Sequence, residues 1–418
     1  MAQTGQVLTP SSDGKLVSTK TALWYLLIFI LAYITNAMDR QIFPMMLPWI
    51  SKAYNFDLKT AGSLSTIFTL GLFAAGIPTG YLIDRWKRKS ILLIGMVIYS
   101  VFTLATIFAS GFFDMLFYRA SLGFGEAMQQ AVLYSVVGSF FYKNKALVIG
   151  TINFGFGIGA ALGPFFGTRL VLATNNWHIP FIIYFALGMI MALVIWRVIP
   201  VSFTESKGPR NTGAGVQPEL ANIPEKFWNR NSILCTMSIP FLGCMMFGYI
   251  GLYPTFLMKE LHFAPTVAAT AFSLYGIGCM FSMVGGWLGD RLSTRWIILG
   301  AYCGVMVTTF LLFNVATEPW QHNILSFMQG LFASSTLHPN NCALLQKSVR
   351  PEMVGRATGL FQTCHYGGGT VAGFLLAWLV GHLGWQQACF IQLTMFPLVG
   401  ITAMCLINEN QLLKPIRA

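Results

Sequence analysis

The sequence predicts an all-α membrane protein with twelve transmembrane helices in two pseudo-symmetric six-helix halves. The first observation is composition: of 418 residues, 55% are hydrophobic and 10% are charged, whereas a soluble domain carries about 25% charged residues. The second is the recurrence of apolar stretches long enough to cross a bilayer as single helices. The third is a short motif, G-x-L-x-D-R, that occurs twice in the chain.

The apolar stretches define the order of the predicted helices. They cover residues 22–50, 61–84, 90–109, 112–140, 146–172, 178–199, 232–257, 265–289, 296–316, 323–346, 354–380 and 385–407. The only long polar segment between them, 201–230, is rich in proline and glycine. The predicted organisation is therefore an N-terminal tail (1–20), a first six-helix bundle (21–200), a linker (201–230), a second six-helix bundle (231–408) and a C-terminal tail (409–418).

The formal net charge of +12 follows from how the basic residues are distributed. Most of the 26 Lys and Arg fall in the loops and helix ends of one side of the predicted bundle. An excess of Lys and Arg marks the cytoplasmic side of a membrane protein. We therefore expect both tails and the linker to be cytoplasmic in a multi-pass cell-membrane protein, and the charge requires no nucleic-acid partner.

The repeated motif indicates that the halves arose by duplication. One copy begins at Gly80 and the other at Gly286, and the same separation of 206 residues joins Asp84 to Asp290. A constant offset of this size is typical of an internal repeat. We expect the glycines to allow close helix contact and the acids to pair with a base or cap a helix. The predicted gating motif comprises Gly80, Asp84, Arg85, Arg88, Gly286, Asp290 and Arg291.

Twelve helices, two halves and two such loops resemble the major facilitator superfamily across essentially the whole chain. In the fourth helix, Arg119, Gly123, Gly125 and Ala127 match the superfamily's R-x-x-x-G-x-G-x-A pattern. The resemblance implies the major facilitator fold and a transporter rather than an enzyme. The fifth helix adds a row of small residues, which we attribute to close helix packing. This row is Gly155, Gly157, Gly159, Gly163 and Gly167.

Four charged residues lie deep in predicted helices, and we call Asp39, Arg40, Arg119 and Glu126 the charged quartet. A charge at the centre of a membrane helix costs roughly 2.5–3.5 kcal/mol on insertion scales. One explanation is a structural network in which Asp39 pairs with Arg119 or Arg40 pairs with Glu126. The other is a functional site, which we favour because intramembrane charges mark substrate and proton pathways.

The charged quartet restricts the resemblance to particular families within the superfamily. Asn36, Asp39 and Arg40 form the motif N-x-x-D-R, and the fourth helix contains R-x-x-x-G-x-x-E. Together these two motifs resemble the anion:cation symporter family. The same pair of motifs is also similar to spinster-type transporters. The first resemblance implies that Arg40 and Arg119 bind the carboxylate of a small organic anion and that Asp39 and Glu126 take up the coupled protons. The second implies a carrier of lysolipids or other amphiphiles.

The resemblance also implies a coupling mechanism and a substrate range. We expect a carboxylate bound at Arg119 to deprive Glu126 of a cationic partner, which links anion uptake to proton uptake. Ala37 stands where many sugar-acid members have Tyr. That departure puts a polyhydroxy acid in doubt and leaves a simpler or more apolar carboxylate open.

The remaining polar residues are weaker candidates. The predicted substrate-binding set is Arg40, Arg119, Asn36, Gln130, Tyr249, Tyr253, Gln362, His365 and Tyr366. For the Tyr and Gln side chains, ordinary packing explains their presence equally well. His338 precedes Pro339, where a broken helical bond needs a polar partner, so a structural role is favoured there, whereas both roles stay open for His365.

Cofactor and partner predictions follow from the motifs. Neither His338 nor His365 has a second histidine or a carboxylate at i+3 or i+4, so no metal site is predicted. The sequence contains no G-x-x-x-x-G-K-[ST] motif, so we expect no nucleotide or other cofactor. The energy source is then expected to be a gradient or the substrate itself. The expected partners of a monomeric protein are the organic anion, protons and the lipid bilayer.

Overall fold

The computed structural model describes residues 9–10, 16–17, 19–140, 145–205, 223–350 and 353–412. The predicted N-terminal tail, linker and C-terminal tail therefore lie largely outside the described residues. The side chains of Asp84 and Asp290 in the predicted gating motif are also outside them. Ahead of the helices, two short strands, β1 (Thr9–Pro10) and β2 (Leu16–Val17), pair antiparallel.

The first half is built from eight α-helical pieces. They are α1 (Thr19–Tyr54), α2 (Leu58–Thr66), α3 (Phe68–Arg85), α4 (Arg88–Ala105), α5 (Phe112–Phe140), α6 (Lys145–Thr174), α7 (His178–Val198) and α8 (Val201–Thr204). A 3-10 turn, Thr106–Phe108, extends α4. Asp57 caps α2, since its carboxylate accepts the backbone N–H of Thr60 at 2.8 Å.

The second half contains a further eight helices and two π-helical segments. The helices are α9 (Arg230–Lys259), α10 (Pro265–Cys279), α11 (Ser282–Arg291), α12 (Thr294–Asn314), α13 (Pro319–Gln329), α14 (His338–Lys347), α15 (Val354–Cys389) and α16 (Pro397–Leu406). The π-helical segments are Gly330–Leu337 and Phe390–Met395. A short 3-10 turn, Glu409–Gln411, follows α16.

Each of the twelve predicted segments is helical in the described chain, but several are interrupted or joined. The second divides at Ile67 into α2 and α3, and the eighth divides between α10 and α11. The eleventh and the start of the twelfth share α15, where Gly384 breaks the helix with a φ of +78°. A positive φ is readily adopted by glycine, which has no Cβ.

By length and composition, nine described helical stretches suit a membrane span, one of which, Arg356–Leu406, covers two predicted segments. The fourth and tenth predicted segments are not among the nine. In α5 the reason is the run of polar residues at Glu126, Gln129 and Gln130, which lowers the mean hydropathy of that helix. A functional site placed inside a span makes that span less apolar.

The glycine row of α6 packs closely against other helices, as predicted, and most of it faces α1. A Cβ added to Gly159 would lie 2.3 Å from the carbonyl oxygen of Ile34, and one at Gly163 would lie 2.6 Å from that of Met38. Gly155 and Gly167 also face α1, but there a Cβ would first meet the side chains of Ile30 and Ile42. The backbone contact at Gly159 and Gly163 fixes the rotation of α1, and with it the directions in which Asp39 and Arg40 point.

The most extensive contacts between the two halves are made by two pairs of helices, α2 with α15 and α6 with α10. Gly62 of α2 crosses α15 at Gly373, where a Cβ on either glycine would lie within 2.3 Å of the other's carbonyl oxygen. On the other side, Gly276 of α10 lies against the backbone of Ala160 and Ala161 in α6. We call the α2–α15 crossing the glycine gate, and it lies toward the end of the bundle where α1 meets α2.

The opposite end of the bundle is the basic end, where α3 joins α4 and α11 joins α12. The expectation that Gly80 and Gly286 allow close helix contact is wrong in this structure, since a Cβ at either would meet nothing within 4 Å. The close approaches on these helices occur instead at Gly71, against Ala120, and at Gly285, against Ser335. The role of the repeated motif in gating stays a prediction.

Candidate functional site

The charged quartet is buried within the first half. Asp39 and Arg40 are 1% and 6% exposed, while Arg119 and Glu126 are fully buried. Because Asp39 and Arg40 are consecutive on α1, their side chains leave that helix about 100° apart. One reaches α4 and the other reaches α5, so the four charges do not form two equivalent pairs.

Arg40 and Glu126 form a buried ion pair. The Arg40 Nε donates to Glu126 Oε2 at 2.9 Å. The guanidinium also lies over the rings of Phe156 and Phe68, with Cζ 5.6 and 5.9 Å from their centroids. Arg40 Nη2 and Glu126 Oε1 are buried without a hydrogen-bond partner among the described residues. The pair therefore retains capacity for a further polar ligand.

Asp39 is held by a side chain that the sequence did not single out. The hydroxyl of Thr103 on α4 donates to Asp39 Oδ2, and Thr103 is itself buried. Asp39 Oδ1 has no hydrogen-bond partner among the described residues. The carboxyl group is thus oriented toward α4 by one hydrogen bond, with one oxygen left for a proton or a donor.

Arg119 has no polar partner within the part of the chain that the structure describes. Its Nε, Nη1 and Nη2 atoms are buried and make no hydrogen bond there. Its Cζ lies 4.1 Å from the centroid of Phe43 and 5.3 Å from that of Phe68. A guanidinium has five N–H donors, and burying such a group unpaired is costly.

These contacts decide between the pairings that the sequence left open. Arg40–Glu126 is formed, whereas Arg119 and Asp39 share no hydrogen bond. The residue that binds Glu126 directly is Arg40, and the coupling expected through the charge of Arg119 stays a prediction. The rotation of α1 against α6 turns Arg40 toward α5, and this rotation is not readable from the sequence.

A polar network continues from the quartet along α5. Asn36 donates to Gln129 Oε1 at 2.9 Å, and both are buried. Gln130 Nε2 lies 3.3 Å from the hydroxyl of Tyr134. The hydroxyl of Tyr366, on α15, donates to Gln130 Oε1 at 3.4 Å. This last bond joins the two halves one helical turn from Glu126.

The predicted substrate-binding residues of the second half are not all gathered at this network. Tyr249 and Tyr253 stack with ring centroids 4.7 Å apart. Their hydroxyls bind Ser326 and His322, both in the second half. Gln362 is partly buried on α15, with Oε1 unpartnered among the described residues. The binding role proposed for these three side chains remains a prediction.

His338 and His365 form a contact that the sequence analysis missed. Their ring centroids lie 4.8 Å apart in an edge-to-face arrangement, and Phe361 stacks on His365 at 5.6 Å. The positions of the two histidines in the sequence do not show that their side chains face each other across α14 and α15. The π-helical segment Gly330–Leu337 ends at His338, and such segments are frequent at functional sites.

Aromatic rings connect the arginines to these histidines. Phe68, beside Arg119, lies 5.8 Å from Phe247 across the boundary between the halves. Phe247 in turn lies 5.5 Å from His365 and 6.0 Å from Tyr366. We call Phe68, Phe247, His365 and Tyr366 the aromatic bridge. Phe68 and Phe247 do not stand out in the sequence, because the chain contains 35 phenylalanines.

Comparison with protein families decides the architecture. The model of the Major Facilitator Superfamily matches residues 29–256 and 236–416. The chain belongs to this superfamily. As a Major Facilitator Superfamily member it has the all-helical membrane fold of that superfamily.

Relatives within the superfamily include transporters named for organic acids. The chain is 25% identical to the hexuronate transporter of Bacillus subtilis over 252 residues, which are 58% of each protein. It is 26% identical to the 3-(3-hydroxy-phenyl)propionate transporter of Escherichia coli (strain K12) over 391 residues, 91% of this chain and 92% of that one. The first alignment thus spans little more than half of the relative's length.

A solved structure confirms the fold. A bacterial homolog of the human lysosomal transporter Spinster, in an inward-facing and unoccupied conformation, superposes with a TM-score of 0.69. The match covers 93% of this chain and 95% of that one, at 15% sequence identity. At this identity the likeness concerns the arrangement of the helices.

Proposed function

We propose that this transporter takes up a small organic carboxylate together with protons, by alternating access. Arg40 and Arg119 bind the carboxylate, and Asp39 and Glu126 carry the protons. The observation behind the proposal is Arg119, a fully buried guanidinium with no hydrogen-bond partner among the described residues. A carboxylate is the ligand whose two oxygens match the planar guanidinium fork.

The geometry suggests a specific coupling step. Glu126 binds Arg40 Nε directly, so the carboxylate of Glu126 and that of a substrate compete for one guanidinium. A proton on Glu126 neutralises the competing carboxylate and releases Arg40 for the substrate. Binding of the anion is then favoured by protonation, and the proton and the anion move together because each is bound better in the presence of the other.

Asp39 provides a second acid near the same charges. With both acids ionised, the quartet is neutral, so an added anion leaves an excess negative charge inside the bundle unless a proton accompanies it. Charge balance in a low-dielectric interior is worth several kcal/mol. With charge compensated, the two halves rock around the site, and the basic end faces the cytoplasm by the positive-inside rule.

The relatives are consistent with an organic anion as substrate. The hexuronate and 3-(3-hydroxy-phenyl)propionate transporters are both named for carboxylates. Hexuronate is polyhydroxylated and the second acid is aromatic, so the pair agrees only on the carboxylate. That shared group is the one for which the two arginines are suited.

A spinster-like carrier of lysolipids or other amphiphiles is the alternative, and one feature of the structure favours it. Between α3 and α15, Phe73 is 42% exposed beside Gly367. Gly76 and Gly359, farther toward the basic end, have open space in front of them. An apolar opening at this position would admit an acyl chain from the bilayer, with the charged headgroup at the arginines.

Proteoliposomes test the proposed coupling. Glu126→Gln fixes a proton-like neutral state, so we expect it to abolish accumulation driven by a pH gradient and to preserve exchange of labelled for unlabelled substrate. Asp39→Asn should act in the same direction more weakly. The control is Glu260→Gln, at an exposed position, which should leave both activities unchanged.

Two results would contradict the proposal. Full gradient-driven accumulation by both single variants and the double variant would remove these carboxylates as proton carriers. A thermal-shift screen in which lysolipids raise the melting temperature and small organic anions do not would replace the carboxylate by an amphiphile, since a ligand stabilises the protein it binds.

A further inference from the structure

His365 is a buried polar group that the proposed carboxylate and proton chemistry does not use. Its side chain is 1% exposed, and Nδ1 has no hydrogen-bond partner among the described residues. Four rings surround it: Phe361 stacked at 5.6 Å, Phe247 at 5.5 Å, Tyr366 at 5.5 Å and His338 at 4.8 Å. Burying an imidazole nitrogen without a hydrogen-bond partner costs free energy. A ligand that forms a hydrogen bond to Nδ1 would remove that cost.

The backbone of His365 is held firmly in place. A Cβ on Gly243 of α9 would come 2.0 Å from the carbonyl oxygen of His365, and one on Gly368 would come 2.0 Å from that of Pro240. The two helices thus cross in backbone contact at this residue. Direct contact of this kind positions a binding group on a rigid element, which is what selective recognition requires.

His365 is also connected to the carboxylate site. The next residue, Tyr366, donates to Gln130, which lies one turn from Glu126 on α5. Phe68 lies beside both arginines, and Phe247 beside both Phe68 and His365. Aromatic rings contributed by both halves therefore connect the two arginines to His365.

Resting on the proposed function, we infer that the substrate is an aromatic monocarboxylate with a hydroxyl group on the ring, distant from the carboxylate. The carboxylate binds Arg40 and Arg119, the ring packs against Phe68 and Phe247, and Nδ1 of His365 binds the hydroxyl. Aromatic faces give a ring favourable offset or edge contacts. They give the hydroxyl groups of a sugar acid no hydrogen-bond partner, and that loss is penalised.

A hydroxyl suits His365 for a second reason. Nδ1 is a donor in one imidazole tautomer and an acceptor in the other. A phenolic hydroxyl both donates and accepts, so it pairs with either tautomer. His338, which contacts His365 edge-to-face, is a positioning residue that holds the imidazole ring and need not touch the substrate.

Matched ligand pairs test the inference on the purified full-length protein. The probes are benzoate with 4-hydroxybenzoate, 3-phenylpropionate with 3-(3-hydroxyphenyl)propionate, and glucuronate, each measured by thermal shift and by competition for uptake. We expect wild type to bind one of the hydroxylated acids roughly tenfold more tightly than its unhydroxylated partner, which is the range of one hydrogen bond. Glucuronate should bind more weakly than either.

His365→Phe keeps a ring in the stack but removes both nitrogens. It should abolish the preference for the hydroxyl group and leave affinity for the unhydroxylated acid within about twofold of wild type. His365→Gln retains hydrogen-bonding groups and should keep part of the preference. The control is His382→Gln, since His382 is exposed and contacts Trp378, one turn away on the same helix, through its carbonyl oxygen and its ring.

The outcomes separate the inference from the proposed function. Binding of aromatic acids with a hydroxyl preference that persists in His365→Phe refutes the inference and leaves the proposed function standing. So does tighter binding of glucuronate than of every aromatic acid. If wild type binds none of the carboxylates, the proposed function itself fails. Should His365→Phe not fold, the preference in wild type and its partial retention in His365→Gln still decide.

Discussion

The glycine gate makes a quantitative prediction about conformational balance. A Cβ on Gly373 would lie 2.0 Å from the carbonyl oxygen of Gly62, whereas an ordinary contact needs at least 3.4 Å. Gly373→Ala therefore forces α2 and α15 about 1.4 Å apart at this point. Overpacking of this kind costs about 1–3 kcal/mol, but only in conformations where this end of the bundle is closed.

A free-energy change of that size shifts the balance between closed and open forms by about five- to 150-fold, since ~1.4 kcal/mol corresponds to a factor of ten. The control is Gly359→Ala on the same helix, where a Cβ meets nothing within 4 Å. Both substitutions replace Gly by Ala within a helix, so both raise the intrinsic helix propensity by the same amount. Their difference therefore isolates the steric effect at the gate.

A buried thiol close to the gate reports its opening. Thr255 is 1% exposed on α9, and its hydroxyl has no partner among the described residues. It lies one turn beyond Gly251, which packs on Ser65. In a Thr255→Cys background, Gly373→Ala should raise the rate of labelling by a membrane-impermeant maleimide about fivefold or more. Equal rates for Gly373→Ala, Gly359→Ala and the parent would refute the steric reasoning.

Three other predictions concern the quartet and the topology. Arg119→Lys should weaken carboxylate binding roughly tenfold or more, because Lys cannot supply the planar fork. Arg169→Lys, at an exposed site, is the control and should leave binding unchanged. Both affinities can be measured by calorimetry, and wild-type affinity in Arg119→Lys would show that Arg119 is structural. Thr103→Val removes the hydrogen bond to Asp39 and should lower the melting temperature and slow proton-driven uptake more than exchange, with Thr106→Val as control. Tags on both termini and on the segment between the halves should be accessible only from the cytoplasm in intact cells, and external access to any of them would overturn the topology.

The sequence predicts where the helices lie better than where they break. Apolar runs locate the spans because burial in lipid demands continuous hydrogen-bonded backbone. The interruption at Ile67 and the π-helical segment Gly330–Leu337 occur within apolar stretches, so a hydropathy pattern does not reveal them. Such breaks depend on packing against neighbouring helices, which acts across large separations in sequence.

In the candidate site too, the sequence predicts which residues share a helix face better than it predicts the contacts between helices. Glu126, Gln130 and Tyr134 are four residues apart in sequence and so share one face of α5, and the structure shows polar contacts from all three. The choice of Arg40 as the partner of Glu126 depends on how α1 is rotated, and no local pattern encodes that rotation. The contact between His338 and His365 likewise depends on the relative placement of α14 and α15.

The glycines of α6 give this helix two contact faces, and this has a mechanical consequence. One face lies on α1, through Gly159 and its neighbours, and Gly157 on another face lies against Met280 in the second half. The backbones of α6 and α1 approach directly at Gly159 and Gly163, whereas isoleucine side chains of α1 lie in front of Gly155 and Gly167. If the halves move as proposed, displacement of the second half against Gly157 is passed through these contacts to α1. Asp39 and Arg40 lie on that helix, so we expect movement of the halves to realign the charges.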